Sequence, residues 1–404
     1  MIEKNNVPKH WEIKKLGEVA DYINGRAFKP TEWEKTGKPI IRIQNLNKAE
    51  AGYNYSNQIF EDKYLIDKGD LLYAWSASLG AYLWNGDEAW LNQHIFKVIP
   101  KDICNKKYLF YTLEKITSEI YAKTHGSGMV HVTKGKFEET EIPFPSLSEQ
   151  QTIVSKIEEL LSDLENGKQQ LQTALQQLKI YRQSLLKYAF EGKLTNKNVN
   201  SGELPIGWKW AKLGDVCYNV EYGSASKSEK VGKVPVLRMG NIQNGMFDWD
   251  DLVFTNNEEE IEKYLLKKND VLFNRTNSAE LVGKTAIYKG ERPAIFAGYL
   301  IRINRIESVI DSKYLTYFLN SQFAKNYGNS VRSFGVNQSN INGTKLKTYP
   351  LPLCPLEEQQ LIVNELESKL AVCDKFEETI TQSLLQAETL KQSILKKAFE
   401  GKLI

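Results

Sequence analysis

The chain has 404 residues, of which 41% are hydrophobic and 25% charged, and its formal net charge is +3. This length exceeds a single hydrophobic core of ordinary size, and the composition excludes an intrinsically disordered protein. A nearly neutral charge balance does not by itself indicate a polyanionic partner.

Local patterns exclude two further classes of protein. No apolar run approaches the roughly 18 residues that span a bilayer, and the first residues lack the basic and then apolar order of a signal peptide. We therefore expect a cytoplasmic protein without a membrane partner. The four cysteines are scattered, with no C-x-x-C pair and no neighbouring histidine, which predicts reduced thiols instead of a zinc site or disulfides.

Residues 1–145 predict a first module of mixed α/β structure. Alternating apolar residues indicate strands at 39–44, 70–75 and 94–99. A helix follows from about Lys107 to Lys123, with Gly126 as its end signal.

Residues 146–194 predict a long helix that begins after Pro145 and ends at Gly192. Its roughly 40 residues would extend about 60 Å. Apolar residues recur at seven-residue spacing, which indicates the seam of a coiled coil. The seam consists of Ile157, Leu164, Leu171, Leu178 and Leu185, with companions at Ile153, Leu160, Gly167, Ala174, Tyr181 and Tyr188.

Residues 195–353 predict a second module with the same order of elements. Strand patterns recur at 235–239, 270–275 and 299–303, and a helix is predicted from about Ser312 to Tyr327, ending at Gly328. We therefore expect the two modules to share one fold.

Residues 354–404 predict a second long helix that ends at Gly401. Its seam consists of Ile362, Leu366, Cys373, Phe376, Ile380, Ala387, Leu390 and Ile394, broadened by Leu370 and Leu384. Antiparallel pairing of the two helices would bury both seams and place the modules at opposite ends, with pseudo-two-fold symmetry. The alternatives are homodimerisation through the seams or docking on the helices of another protein.

The two long helices are copies of one sequence. A shift of 209 positions aligns Glu149-Gln150-Gln151 with Glu358-Gln359-Gln360, and it also aligns the two Phe-Glu-Gly-Lys-Leu segments that begin at Phe190 and Phe399. Pro8 and Trp11 at the start of the first module likewise recur as Pro205 and Trp208. The chain therefore consists of two unlike modules on two alike connectors.

Polar loops in both modules provide candidate DNA contacts. Arg and Lys can bridge the acceptors of guanine, and Asn and Gln can pair with adenine. Asn, Ser and Gly are also common turn residues, so a structural role is the alternative for each position. The candidates are Arg42, Asn45, Ser76, Ser78, His125, Ser127, His131, Lys134, Arg238, Asn241, Arg275, Asn277, Arg332, Ser333, Asn337 and Gln338.

The sequence shows no active site. Leu281-Val282-Gly283-Lys284-Thr285 is similar to the end of a phosphate-binding loop, but Ser278 stands where that pattern requires glycine. No amino-methyltransferase motif and no nuclease-like set of carboxylates is present. We therefore predict no catalytic residue, metal or cofactor in this chain.

The order of module, long helix, module and long helix, with the paired Phe-Glu-Gly-Lys-Leu endings, resembles the specificity subunit of type I restriction-modification systems. The resemblance covers essentially the whole chain. It implies an α+β fold in which two similar target recognition domains are separated by two long antiparallel helices. It also implies that each domain reads one half of a bipartite, asymmetric double-stranded DNA target, and that the helix pair sets the spacer.

The same resemblance implies partner proteins. Two modification subunits would bind equivalent surfaces of the repeated helices and carry out adenine methylation, and restriction subunits would join them. The repeated residues are the candidates for subunit contact: Gln150, Gln151, Phe190, Gln359, Gln360 and Phe399. The rival interpretations are a self-contained nucleic-acid enzyme and a coiled-coil protein whose end modules bind proteins.

Overall fold

The computed structural model describes residues 7–48, 50–123, 133–196, 199–200, 202–335 and 338–404. The chain forms two compact units, one made of Met1–Gln172 with Thr381–Ile404 and the other of Thr173–Ile380. Each unit contains one predicted module and a part of each long helix. None of the helices in the described part of the chain combines the length and apolar character of a bilayer span.

The first unit is built on two four-stranded sheets. One is antiparallel, in the order β2-β9-β6-β7, and the other has the order β4-β3-β8-β5 with β3 and β8 parallel, while β1 pairs with β10. Strands β1 to β10 span Glu12–Lys15, Ala20–Asn24, Lys38–Ile41, Asn54–Ser56, Leu65–Ile66, Leu71–Ala74, Gly80–Leu83, Ala89–Leu91, Ile95–Pro100 and Glu141–Phe144.

Three of these strands confirm the sequence prediction. They are β3, β6 and β9, and all four residues of β6 are buried because the strand lies inside its sheet. The first predicted strand extended too far, since the chain turns after Ile41 into a short helix, Ile43–Asn47. Helices α1 to α4 span Leu16–Val19, Ile43–Asn47, Lys106–Lys123 and Lys134–Glu138. Helix α3 is the predicted helix, while its expected end signal, Gly126, lies outside the described residues.

The second unit repeats this architecture. Its antiparallel sheet has the order β12-β21-β17-β19, its second sheet β16-β13-β20 contains the parallel pair β13 and β20, and β11 pairs with β24. Two small sheets are added, β14-β15 and β18-β23-β22. Strands β11 to β24 span Lys209–Lys212, Cys217–Tyr222, Val234–Leu237, Ile242–Gln243, Met246–Phe247, Val253–Thr255, Val271–Asn274, Thr276–Asn277, Thr285–Ile287, Ile295–Phe296, Leu300–Arg305, Ser333–Phe334, Ser339–Asn340 and Pro350–Leu353.

The helix predicted from Ser312 to Tyr327 is wrong as one continuous element, because it is divided into α7, Ser312–Leu319, and α8, Gln322–Val331. The Asn320 side chain both accepts from and donates to the main chain of Thr285, and the Ser321 hydroxyl caps the next helix by accepting from the amide of Ala324. Gly328 does not end this helix either, since it lies within α8. Helices α6 to α9 span Glu258–Tyr264, Ser312–Leu319, Gln322–Val331 and Gly343–Lys347.

The two long helices run antiparallel within each unit. They are α5, Leu147–Phe190, and α10, Leu356–Phe399. In the first unit Ile157 shares a core with Leu395, and further along α5 Lys168 pairs with Glu388 at 2.6 Å. This order of contacts requires opposite helix directions. It confirms pairing inside the chain.

The second unit shows the same opposition of α5 and α10. Phe190 shares a core with Ile362, and eight residues earlier on α5 Arg182 pairs with Asp374 at 2.7 Å. The helices therefore bury apolar residues against each other in both units, as the repeated seam predicts.

Three predicted seam positions are wrong, because their side chains are about half exposed. These are Tyr181, Tyr188 and Phe376. An α-helix has 3.6 residues per turn, so a strict seven-residue repeat drifts by roughly 20° per heptad. On α5 the buried positions move on by one residue, and Ala189 is fully buried where the pattern indicated Tyr188.

The end of α10 is fixed to the first module by a packed contact that we call the first joint: Pro8, Trp11, Gln150, Phe399 and Gly401. The Phe399 ring packs edge-on against Tyr108 with ring centroids 5.3 Å apart. Gly401 has φ +65°, and a Cβ there would lie 2.2 Å from Cγ of Pro8. Only glycine fits this close, left-handed turn.

The second joint fixes the end of α5 to the second module through the equivalent residues Pro205, Trp208, Gln359, Phe190 and Gly192. Phe190 packs edge-on against Tyr314 with ring centroids 5.2 Å apart. Gly192 has φ +73°, and a Cβ there would lie 2.2 Å from Cγ of Pro205. The repeated sequence therefore encodes a repeated packing contact.

A glutamine at each joint is completely buried and fully bonded. Gln359 accepts from the amide of Asp311 and donates to the carbonyls of Val309 and Cys354, at 2.8 to 2.9 Å. Gln150 makes the equivalent bonds to Asn105, Ile103 and Pro145. Both side chains are 0% exposed.

This burial corrects the predicted subunit contacts. Gln150, Gln359, Phe190 and Phe399 pack inside the chain, so they cannot reach another subunit without local unfolding. Gln151 and Gln360 are exposed and stay candidates for that contact.

Replacing Gln359 with Leu should lower the free energy of unfolding by roughly 3 kcal/mol, because one amide and two carbonyls lose their partners in a buried site. Chemical denaturation of the purified chain measures this. The matched control is Gln360→Leu on the exposed side of the same turn, expected to change stability by less than about 0.5 kcal/mol. Equal effects of the two substitutions would contradict the proposed role of Gln359.

A glutamate at the start of each long helix binds the tryptophan of its joint. Trp208 donates to Glu358 at 2.9 Å, and Trp11 donates to Glu149 at 3.3 Å. Glu149 also accepts from the ring of His10 at 2.7 Å and from the hydroxyl of Ser146 at 2.8 Å. The bond from His10, followed by that from Ser146, lowers the pKa of Glu149 to about 2.

This lowered pKa predicts an acid-sensitive first joint. Since the folded pKa lies below the ordinary value of 4.5, the contribution to stability is complete above about pH 4.5 and is lost as the pH falls towards 2. The difference in unfolding free energy between the natural chain and Glu149→Gln should shrink over this range. A His10→Ala variant should show a weaker pH dependence, and a pH-independent difference would refute the assignment.

Candidate functional site

In the second module, the polar segments predicted to contact DNA lie together. Strand β23 pairs with β18 on one side and with β22 on the other. The side-chain amide of Asn340 donates to the hydroxyl of Thr276 at 2.7 Å, so the two segments are also joined through side chains. The structure therefore brings the 274–278 cluster next to the 330–340 cluster.

Arg275 is the link between this small sheet and the main sheet. Its amide donates to the carbonyl of Tyr299, and its carbonyl accepts from the amide of Ile341. Its guanidinium lies over the ring of Tyr222 at 4.9 Å and donates through Nη1 to the carbonyl of Gly298 at 3.0 Å. The side chain is thus held in one orientation before any ligand binds.

The other second-module candidates lie around the same sheet. Arg332 donates to the carbonyl of Ala279 at 2.8 Å, and the Ser333 hydroxyl accepts from Lys345 at 2.8 Å. Asn277 accepts from the amide of Ser278, while Gln338 is exposed. Asn337 lies outside the described residues.

In the first module only part of the predicted site is described. Ser76 is buried and Ser78 half-buried in the loop after β6, and Leu79 in that loop accepts from and donates to the hydroxyl of Tyr121 at the end of α3. Lys134 begins α4 and pairs with Glu138 at 3.6 Å. His125, Ser127 and His131 lie outside the described residues.

Two predicted contacts, Asn45 and Asn241, have structural roles. Asn241 accepts from the amide of Arg238 at 2.8 Å and donates to the carbonyls of Asp248 and Asp251. Asn45 accepts equivalently from the amide of Arg42. Both asparagine side chains are buried, because they close the turn after the first strand of the second sheet.

The arginines of these turns are held close to the protein. Arg238 pairs with Asp251 at 3.0 Å, and the guanidinium of Arg42 lies over the ring of Trp33 at 5.8 Å. Their contact with DNA stays a prediction.

The sequence pattern did not indicate a pair of lysines beside Asn320. Lys284 directly precedes Thr285, which Asn320 binds, and Lys325 lies on α8. Partial burial and the neighbouring charge of Lys284 lower the pKa of Lys325. Among the described residues, neither ammonium has a carboxylate within ion-pair distance, so this surface is suited to an anion.

Aromatic residues around Arg275 were not among the predicted DNA contacts. The Arg275 guanidinium lies over the ring of Tyr222 and its amide donates to the carbonyl of Tyr299, and Trp75 and His94 share the equivalent main-chain bond in the first module. The high share of Tyr and Trp was the available signal. Within the described residues, no three His, Cys, Asp or Glu side chains are grouped so that they could hold a metal ion.

Comparison with known proteins identifies the family. A family model described as the type I restriction modification DNA specificity domain matches residues 8–173 and 205–386. The chain belongs to this family. Each match covers one module and most of the long helix that follows it, so the repeat seen in the sequence is a repeat of the specificity domain.

Named specificity subunits are similar over the whole chain. The EcoBI specificity subunit of Escherichia coli is 28% identical over 429 residues, covering 100% of this chain and 89% of that protein. The StySPI specificity subunit of Salmonella potsdam is 26% identical over 424 residues, covering 100% and 91%. The chain is thus a type I restriction-modification specificity subunit by family.

Solved structures share the fold of this specificity subunit. The HsdS subunit from Thermoanaerobacter tengcongensis has a TM-score of 0.60 at 21% identity and covers 98% of both chains. A chain from a structure concerned with complex assembly and conformational transition of the type I R-M system has a TM-score of 0.73 at 21% identity, covering 98% of this chain and 99% of that one. These matches confirm the predicted α+β fold class.

Replacing Asn241 with Ala should lower the free energy of unfolding by about 2 kcal/mol, because three hydrogen bonds of a buried turn are lost. The control is Asn277→Ala, which lies on the polar sheet and is expected to change stability by less than about 0.5 kcal/mol. Chemical denaturation distinguishes them. A stable Asn241→Ala variant would restore this residue as a candidate for ligand contact.

Proposed function

We propose that the chain is the DNA-recognition component of a type I restriction-modification complex, and that each module reads one half of a bipartite, asymmetric double-stranded DNA target. The observation that supports this is a common main-chain framework carrying different side chains. Both modules have the same antiparallel sheet, and the loops after its strands differ in their polar residues. Base edges are distinguished by side-chain chemistry, so such modules should read different sequences.

The proposed division of the chain follows from the helices. Residues 1–145 and 195–353 are the two target recognition domains, and residues 146–194 and 354–404 are the connectors. Each connector contains a helix of 44 residues, or about 66 Å at 1.5 Å per residue. A paired helix of this length is stiff, and on this proposal it sets the unread spacer between the half-sites.

We further propose that the chain is not catalytic and that two modification subunits dock on its helices and methylate adenine. Exposed apolar side chains on these helices support a docked partner. Phe376 is 57% exposed, and Tyr181 and Tyr188 are about half exposed. Gln151 and Gln360 are polar candidates on the same helices. Restriction subunits would join this assembly, and all of these partners act on DNA in the cytoplasm.

The proposal is tested with the full chain and its modification subunit acting on a library of randomised duplexes with S-adenosylmethionine. Sequencing of the methylated duplexes should reveal two half-sites separated by a fixed spacer. Removing residues 164–170 and 386–392, which face each other in the first unit, shortens each helix by about 10 Å. The spacer should then shorten by up to about three base pairs, because one base pair rises 3.4 Å.

The half-sites themselves should not change in this deletion variant, since both modules are untouched. Removing residues 164–170 alone is the control. The first long helix is then seven residues shorter than the second, so the two no longer match along their length, and methylation should fall for every spacer. Methylated duplexes without a bipartite pattern would refute the proposed function. An unchanged spacer after the matched deletion would refute the role of the helices.

A further inference from the structure

The same main-chain hydrogen bond between two strand ends occurs in both modules, and we call its position the crossing. In the first, the amide of Trp75 donates to the carbonyl of His94 at 3.0 Å, and in the second, the amide of Arg275 donates to the carbonyl of Tyr299 at 3.0 Å. Each bond joins the residue after one sheet strand to the residue before another. Positions 75 and 94 of the first module thus correspond to 275 and 299 of the second.

A neighbouring main-chain bond supports this correspondence. The amide of Arg26 donates to the carbonyl of Leu91 at 2.9 Å, and the amide of Ser224 donates to that of Phe296 at 2.8 Å. The glycine before each donor is equally confined, since a Cβ at Gly25 or Gly223 would lie 2.1 Å from a carbonyl oxygen. The crossing is therefore fixed by backbone contacts that do not depend on the side chains at its surface.

The side chains at this crossing differ completely. In the first module the rings of Trp75 and His94 meet edge-on with centroids 4.9 Å apart. In the second, the Arg275 guanidinium is clamped between the ring of Tyr222 and the carbonyl of Gly298, and Tyr299 is 52% exposed. An indole and an imidazole in the first module thus stand where the second module has a guanidinium and a phenol.

At the crossing, one buried polar atom of the first module has no hydrogen-bond partner among the described residues: Nδ1 of His94. In the second module Tyr299 is instead open to solvent. A buried polar atom without a partner costs stability, so its retention requires a reason.

The backbone of the first module is also strained here. His94 has φ +72° and Ala77, two residues after Trp75, has φ +60°. Left-handed conformations are uncommon for residues with a side chain, and they concentrate at functional sites. Tyr299 does not share this conformation, so the backbone strain occurs only at the crossing of the first module.

We infer that this crossing is a shared base-reading position, at which Trp75 with His94 contacts one half-site and Arg275 with Tyr299 contacts the other. The inference rests on the proposed function. The N–H groups of the Arg275 guanidinium that Gly298 does not use can donate to the acceptors of guanine, and the phenol of Tyr299 can donate to or accept from an adjacent base edge. The Trp75 and His94 pair offers an apolar ring face and one imidazole nitrogen, which fit a different base.

The test exchanges the pairs in the full chain, assayed with the modification subunit on the randomised duplex library. Trp75→Arg with His94→Tyr should change base preference by about tenfold at one or two positions of one half-site, and leave the other half-site unchanged. Arg275→Trp with Tyr299→His should affect the opposite half-site only. An unchanged sequence preference in both exchanges overturns the inference, as does an equal loss of methylation on all sequences.

A conservative variant keeps the test valid if a double exchange does not fold. Tyr299→Phe retains the ring and removes the hydroxyl, so it should relax the preference at the same position severalfold. Tyr218→Phe is the matched control, an exposed tyrosine on β12 of the same module, and should change nothing. Identical preferences for both variants and the natural chain overturn the inference. If the natural complex itself selects no bipartite target, the proposed function fails instead.

Discussion

A buried glutamine tied by three hydrogen bonds anchors the first turn of each long helix to a module. Gln150 and Gln359 satisfy one amide and two carbonyls each, inside a site from which water is excluded. An isolated helix of this kind is marginal in water, because most helical stability in proteins comes from packing of its apolar face. Each joint therefore stabilises its long helix by keeping the apolar face of that helix packed against the module.

The two joints explain why the same residues occur in both copies of the sequence repeat. Phe190 and Phe399 fill equivalent aromatic pockets, and Gly192 and Gly401 make equivalent close turns against a proline. These contacts depend on shape and permit little substitution. The loops around Arg275 and Trp75 are supported instead by main-chain bonds, which any side chain permits. On the proposed function, the loops that read DNA can thus differ between the modules while the joints stay the same.

The sequence predicted the elements that follow from simple periodicity and failed where a side chain acts on distant main chain. The strands around residues 71–74 and 271–274 are confirmed because each lies inside its sheet with all four residues buried. The break at Asn320 could not be predicted, since its cause is a bond to Thr285, 35 residues away. The exposed Tyr188 reflects the difference between 3.5 and 3.6 residues per turn, which a heptad pattern ignores.

Polar residues were the least predictable part of the candidate site. Asn241 and Asn277 are the same residue type and both follow a buried strand, yet one closes a buried turn and the other lies on the polar sheet. Burial and the number of bonds separate them, and neither is visible in sequence. The near-neutral charge is a physical reason to expect that DNA binding depends on a few specific contacts. A chain with net charge +3 supplies limited general attraction to phosphates. On the proposed function, sequence selection then depends on individually fixed groups such as Arg275, and partner subunits supply much of the remaining affinity.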